Sequence, residues 1–292
     1  MTIELINTQK TLSRTQIKLA DYAINPYKGC EFGCAYCYAQ KNKNLRREGS
    51  ANLGVKINAP ETLEKELRYK NPRRVLLGST TECFPRVEPQ YRVTEKILEI
   101  LNRNSIPYTI LTKSDVINGY LHLIRENHLN KIYFTFNFDS NKIIKIFENS
   151  SPDLARRQET IKNIIAGGID LRVHVGPYIP RISHLAGIFS LIPANVQEVD
   201  VELYHHEMGN FREILKRVEA NLPAGDKEEI NRIYKNKQNY TAFAQALKDE
   251  LKELKQEYPF KIFYLVPEYG KFYTPEMDYE SPLRDDNFAD KR

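Results

Sequence analysis

The sequence has no apolar run approaching the ~18 residues that a membrane-spanning helix needs. Its longest, such as Val75 to Leu77 and Ile262 to Val266, are short, so no membrane association is expected. The first ten residues, MTIELINTQK, contain an acid and no apolar stretch, which speaks against a secretory leader. Thirteen glycines and fifteen prolines in 292 residues are too few for a fibrous or low-complexity chain. There is no internal repeat and no linker rich in glycine or serine. Neither sign of charge is in large excess: the formal net charge is +5. That balance permits a phosphate-bearing partner without demanding one. The basic doublets Arg46-Arg47, Arg73-Arg74 and Arg156-Arg157 are scattered, and they read as solvated helix ends. Four cysteines do not make a disulfide framework in a chain of this length. A cytoplasmic protein with one sizeable core is expected.

What recurs is an alternation of short β-branched or aromatic runs with longer stretches of helical period. The expected strands are Ile17 to Tyr22, Arg74 to Leu77, Pro107 to Leu111, Lys131 to Phe136, Ile169 to Val175, Glu198 to Leu203 and Phe260 to Val266. Helices are expected at Pro60 to Tyr69, Val93 to Arg103, Ser114 to Glu126, Pro152 to Ala166, His184 to Leu191 and Tyr240 to Tyr258. For the fourth of these, Ser151 is the expected cap and Gly167-Gly168 the expected stop. Such alternation calls for parallel pairing, and about six such units fit an α/β fold with a partial (β/α)6 TIM-like barrel and an extra C-terminal helix and strand. The chain divides into an N-terminal lead (1–16), the barrel with its extension (17–266) and a polar, aromatic tail (267–292). Chemistry in such barrels sits at the C-terminal ends of strands. Ser79 to Glu82, Thr112-Lys113, Asn137 and Gly176 to Tyr178 are therefore expected to face the site.

Three of the four cysteines crowd into one loop. Asn25 to Gln40 reads NPYKGCEFGCAYCYAQ and places Cys30, Cys34 and Cys37 at C-x₃-C-x₂-C spacing. Thiolates are the ligands of iron–sulfur clusters, and three of them bind three irons of a [4Fe–4S] cubane and leave the fourth open. Gly29 and Gly33 let the backbone turn tightly there. A zinc site would need a fourth ligand close by, yet the first histidine is His122 and the fourth cysteine is Cys83. A ferredoxin-like carrier would want its fourth cysteine in the same local run.

This loop resembles the signature of radical S-adenosylmethionine (SAM) enzymes, and the text around it resembles their spore photoproduct lyase-like branch. The likeness takes in Asn25-Pro26-Tyr27, Tyr36 and Tyr38, Val55 to Pro60, Leu77 to Glu82, Ile110 to Ser114 and Gly167 to Pro180, covering roughly Ile17 to Pro180. It implies a [4Fe–4S] cluster on Cys30, Cys34 and Cys37, with SAM bound across the strand ends and cleaved to a 5′-deoxyadenosyl radical. It implies further that Ser79, Thr80, Thr81 and Glu82 form the loop receiving the SAM ammonium, that Lys113 meets the SAM carboxylate, and that Thr135 lies near the ribose. Asn137 and His174, at strand ends, are cofactor-site candidates without a family counterpart. A reductant such as flavodoxin or ferredoxin is implied, with DNA or another phosphate-bearing molecule as substrate; a radical enzyme acting on a small molecule or peptide is the alternative, and an iron–sulfur electron-transfer protein the one outside the class. The lyases take a hydrogen atom from a cysteine in the loop after the second barrel strand. Here the resemblance puts Ser79 at that position, and its O–H bond is too strong for the task. Cys83, Tyr36 and Tyr38 are then the candidate donors, and a buried structural thiol is the other reading of Cys83.

Overall fold

The computed structural model describes residues 2–40, 52–271 and 281–283. Its strands are β1 (Thr2–Ile6), β2 (Ser13–Arg14), β3 (Tyr22–Ile24), β4 (Tyr27–Lys28), β5 (Asn52–Lys56), β6 (Val75–Leu77), β7 (Tyr108–Thr112), β8 (Lys131–Thr135), β9 (Asp170–Tyr178), β10 (Glu198–Leu203) and β11 (Lys261–Leu265). The helices are α1 (Ala59–Leu67), α2 (Glu88–Tyr91), α3 (Val93–Arg103), α4 (Leu121–Ile124), α5 (Asn141–Phe147), α6 (Leu154–Ala166), α7 (Leu185–Leu191), α8 (Phe211–Asn221), α9 (Ala224–Tyr234) and α10 (Lys237–Glu257).

The main sheet runs β11-β10-β9-β8-β7-β6-β3-β2, and every pairing in it is parallel except that of β2 with β3. Parallel strands covered on both faces read as continuous apolar runs, which is why Val75, Leu76 and Leu77 are all fully buried. Pairing follows a line from β2 to β11, so the fold is a mixed α/β one with an open parallel sheet. A second sheet joins β1, β5 and β4, with β1 and β5 parallel. Both the N-terminal lead and the segment after the cysteine loop are thereby tied to the body of the protein.

Helices cover the sheet with apolar stripes. On α10, Leu247, Leu251 and Leu254 are buried, and on α6, Ile161 and Ile164; each such side chain contributes roughly 1.5–3 kcal/mol on leaving water. The start of α3 is capped by a carboxylate from the preceding turn: Glu88 accepts from the Thr94 and Glu95 amides at 3.1 and 2.9 Å and also from the Tyr27 hydroxyl.

Several expectations shift. The first parallel strand is Tyr22–Ile24, because Ile17 to Ala20 form a turn and the Asp21 carboxylate instead accepts from the Arg73 and Arg74 amides. Asp153 rather than Ser151 caps α6, accepting from the Arg156 amide at 2.9 Å. The stretch expected as one helix from Ser114 is a 3₁₀ helix over Asp115–Tyr120 followed by the single turn α4; Asn118-Gly119 within it are poor helix formers. Arg157 is not a solvated helix end but a fully buried side chain. Arg46-Arg47 and most of the 267–292 tail lie outside the described residues. Among those described, no helix is long and apolar enough to cross a membrane.

Candidate functional site

The C-terminal ends of the parallel strands and the cysteine loop line an open cavity of about 330 Å³. Cys30, Cys34 and Cys37 line it, with Tyr36 and Tyr38 beside them. The loop can take this shape because Gly29 and Gly33 have φ of 82° and 56°, a left-handed backbone in which a Cβ is strained. The loop after β6 supplies Gly78 to Glu82, β7 leads into Thr112 and Lys113, β8 gives Thr135, and β9 gives His174, Gly176 and Pro177. Gly78 (φ 83°) is required by close approach, since a Cβ there would stand 2.3 Å from the Leu111 carbonyl oxygen.

Asn25 holds the β6 loop in place. Its side-chain oxygen accepts from the Thr80 and Thr81 amides at 2.9 and 3.3 Å, and its amide donates to Ser79 Oγ at 3.2 Å. The Tyr38 hydroxyl donates to the Ser79 carbonyl at 2.6 Å, joining this loop to the cysteine loop. Glu82 turns toward its own surroundings, accepting from Thr112 Oγ1 at 2.6 Å and the Phe84 amide at 2.9 Å. Thr81 is buried and donates to the Tyr27 carbonyl at 3.3 Å.

On one wall lies an ionic network whose centre is Glu148, a residue with no signal in the sequence. This fully buried carboxylate receives the Lys113 ammonium at 2.7 Å, the Arg157 guanidinium, the Tyr36 hydroxyl and Ser151 Oγ. Burial opposes its ionisation, but Arg157 and Lys113 outweigh burial and hold it well below the usual carboxylate range. The anion that an interior lysine needs is thus supplied from within the chain. Lys113 also donates to the Tyr36 oxygen and approaches Cys34 Sγ at 3.6 Å. Asn137 does not line the cavity; it sits behind Tyr36, donating to the phenol oxygen at 2.9 Å.

The opposite wall carries His174 and Glu202, with Asp200 buried behind them. The Nδ1 of His174 faces Asp200, and its Nε2 lies 3.9 Å from Glu202. Burial disfavours a charged ring, yet Asp200 and Glu202 together raise the His174 pKa. Glu202 was not among the residues expected, because the strand expected at Glu198 to Leu203 gave no sign that its end turns into the cavity. Met208, His205 and Gly209 from the following loop complete this side.

Cys83 does not join the other thiols. It is fully buried, absent from the cavity wall, and its Sγ points at the Leu111 carbonyl 4.0 Å away. Tyr178, expected to face the site, packs instead on Phe243.

The donor set suits an iron–sulfur cluster. All four cysteines are free thiols, and burial raises both Cys30 and Cys34, the latter to about 11. As thiolates they therefore call for positive counter-charge. Among the described residues no group of three His, Cys, Asp or Glu side chains closes on a point suited to a single metal ion. A cubane lies between thiolates that each bind a different iron, and so takes them farther apart.

Comparison with known proteins agrees with this architecture. Residues 14–157 match a family described as a protein of unknown function, DUF5131. The chain is 26% identical over 259 residues to an uncharacterised protein of Methanocaldococcus jannaschii, covering 86% of this chain and 93% of that one. It is 26% identical over 234 residues to the spore photoproduct lyase of Bacillus subtilis, covering 75% of this chain and 66% of the lyase. Among solved structures, a spore photoproduct lyase complexed with dinucleoside spore photoproduct superposes with a TM-score of 0.64 at 17% identity, covering 90% of this chain and 82% of that one. A mutant lyase with bound AdoMet and dinucleoside spore photoproduct gives 0.63 at 19% identity, covering 89% and 80%. The fold is thus that of the spore photoproduct lyases. In fold and in sequence the chain resembles the spore photoproduct lyase-like branch of the radical SAM enzymes.

Proposed function

We propose that the protein is a radical SAM enzyme whose [4Fe–4S] cluster is held by Cys30, Cys34 and Cys37, with Cys83 outside the coordination sphere. The observation that carries this reading is the convergence of those three thiols on one cavity at the C-terminal ends of the parallel strands. When bound, the cluster and SAM would supply a 5′-deoxyadenosyl radical that removes a hydrogen atom from the substrate. The chain's own residues bind, orient and shield. Ser79 and Thr80, pinned by Asn25, present a polar loop, and Thr135 and His174 give further hydrogen-bonding groups on the cavity wall. The largely apolar remainder, including Phe32, Leu19 and Met208, disfavours water beside a reactive intermediate.

A nucleic-acid lesion is one substrate class, supported by the dinucleoside spore photoproduct bound in neighbouring structures. A different substrate, a small molecule or peptide, is favoured by the placement of Cys83: its thiol is packed away from the cavity, and the resemblance puts a serine, Ser79, where the lyases carry their hydrogen-donating cysteine. Incubating the reduced, cluster-loaded protein with SAM and either dinucleoside spore photoproduct or candidate small molecules tests the choice. The true substrate class raises SAM cleavage above the rate without substrate; if neither class does, the substrate assignment fails.

A further inference from the structure

We propose that Lys113 is a hydrogen-bond donor to the Cys34 sulfur, fixed there by the Glu148–Arg157 pair, and that it raises the reduction potential of the cluster this sulfur would hold. The inference rests on the radical-enzyme reading of the cavity. An ammonium group has three N–H donors. Lys113 has three acceptors within reach, Glu148 Oε1 at 2.7 Å, the Tyr36 oxygen and Cys34 Sγ at 3.6 Å. A ligand carboxylate would therefore have to displace one of them.

Two of those contacts are to groups that cannot move away. Glu148 is fully buried, and it is also bound by Arg157, whose side chain is 1% exposed, and by Ser151. Tyr36 is held by Glu148 and Asn137. Charge settles the remaining question. Arg157 and Lys113 share the single negative charge of Glu148, so the three groups together carry one net positive charge, and the Lys113 ammonium lies 3.6 Å from the Cys34 sulfur. Hydrogen bonds and positive charge at a ligating sulfur favour the more negative, reduced cluster. The couple concerned is the entry of one electron from an external reductant, with no proton or bond change required of the chain. Burial of the network keeps this effect from being screened by water.

The test uses the full chain loaded with cluster and free of SAM, in a potentiometric titration followed by electron paramagnetic resonance. Lys113→Met should take up as much iron as the unaltered protein, because Glu148 keeps Arg157 as its partner, and should show a more negative midpoint. Lys113→Arg should restore most of the difference. Lys113→Gln, which keeps an N–H donor and drops the charge, replaces the methionine variant if that one takes up no iron. An unchanged midpoint with full iron overturns the proposal, and so does loss of iron from both neutral variants. An unchanged midpoint together with weakened SAM binding, read by calorimetry, returns Lys113 to the SAM carboxylate. An unaltered chain that takes up no cluster sinks the enzyme reading itself.

Discussion

Glu148→Ala removes the carboxylate that, alone among the described residues, pairs with the buried Arg157. The Arg157 side chain is 1% exposed and the Glu148 side chain 0%. Without the carboxylate, Arg157 keeps hydrogen bonds to the Pro152 carbonyl at 2.9 Å and Ser151 Oγ at 2.6 Å, but its charge is unpaired. Breaking a buried pair from one side costs about 3–5 kcal/mol. Lys113 adds less, because its ammonium keeps the Tyr36 oxygen and the Cys34 sulfur as acceptors. At roughly 2–4 °C per kcal/mol for a large domain, melting should fall by about 6–20 °C. The double variant Glu148→Leu with Arg157→Leu should recover most of the loss, since replacing both charges by apolar groups is close to neutral. Thermal unfolding of the metal-free protein, followed by circular dichroism at pH 7, reads both. A pH series adds a check of sign. The folded pKa of Glu148 lies below its unfolded value of about 4.3, so its contribution is complete above that pH and is lost as pH falls toward the folded value. The unaltered protein should therefore lose this stability below about pH 4, and Glu148→Gln should not. A shift under about 2 °C for Glu148→Ala at pH 7 would refute the reasoning.

The other expectations concern the thiols and the opposite wall. Cys83→Ala should still bind about four irons per chain after reconstitution, whereas alanine at Cys30, Cys34 or Cys37 should abolish stable loading; iron and sulfide analysis decides. Burial and Asp200 raise the Glu202 pKa against the pull of His174, so ionising Glu202 costs folding energy above the usual carboxylate range. Glu202→Gln should consequently melt higher than the unaltered protein at pH 7, with the gap closing near pH 4, and a lower melting temperature at pH 7 would contradict this.

The parallel sheet was legible because its strands read as short β-branched or apolar runs, continuous at Val75 to Leu77 and alternating with acids at Glu198 to Leu203, and its helices carry clear stripes; Glu198 to Leu203 and Val93 to Arg103 fall where the pattern put them. The cysteine loop was legible because its signal is local: three thiols and two glycines lie within nine residues. The ionic network was not. Glu148 and Arg157 are contributed by a loop and a helix after the fourth parallel strand, and an arginine beside Arg156 on a polar helix looks the same in sequence whether it faces water or the core. Arg156 does take the surface role, pairing with Asp115, while Arg157 one residue later points inward. Helix α9 was missed because its first turn, Ala224-Gly225-Asp226-Lys227, has a turn-like composition that tertiary packing overrides. Asn25, by contrast, stood in the familiar text around the loop, but its task of pinning Ser79 to Thr81 becomes visible only once β3 and β6 are paired.

The most direct test of the central claim is the yield of 5′-deoxyadenosine from SAM in the anaerobically reconstituted, chemically reduced protein, set beside the variant in which Cys30, Cys34 and Cys37 are all alanine. The account expects 5′-deoxyadenosine from the unaltered chain, none above background from the triple variant, and wild-type-like cluster content in Cys83→Ala. A chain that carries about four irons, is fully reduced and binds SAM, yet forms no 5′-deoxyadenosine with or without substrate, would contradict it.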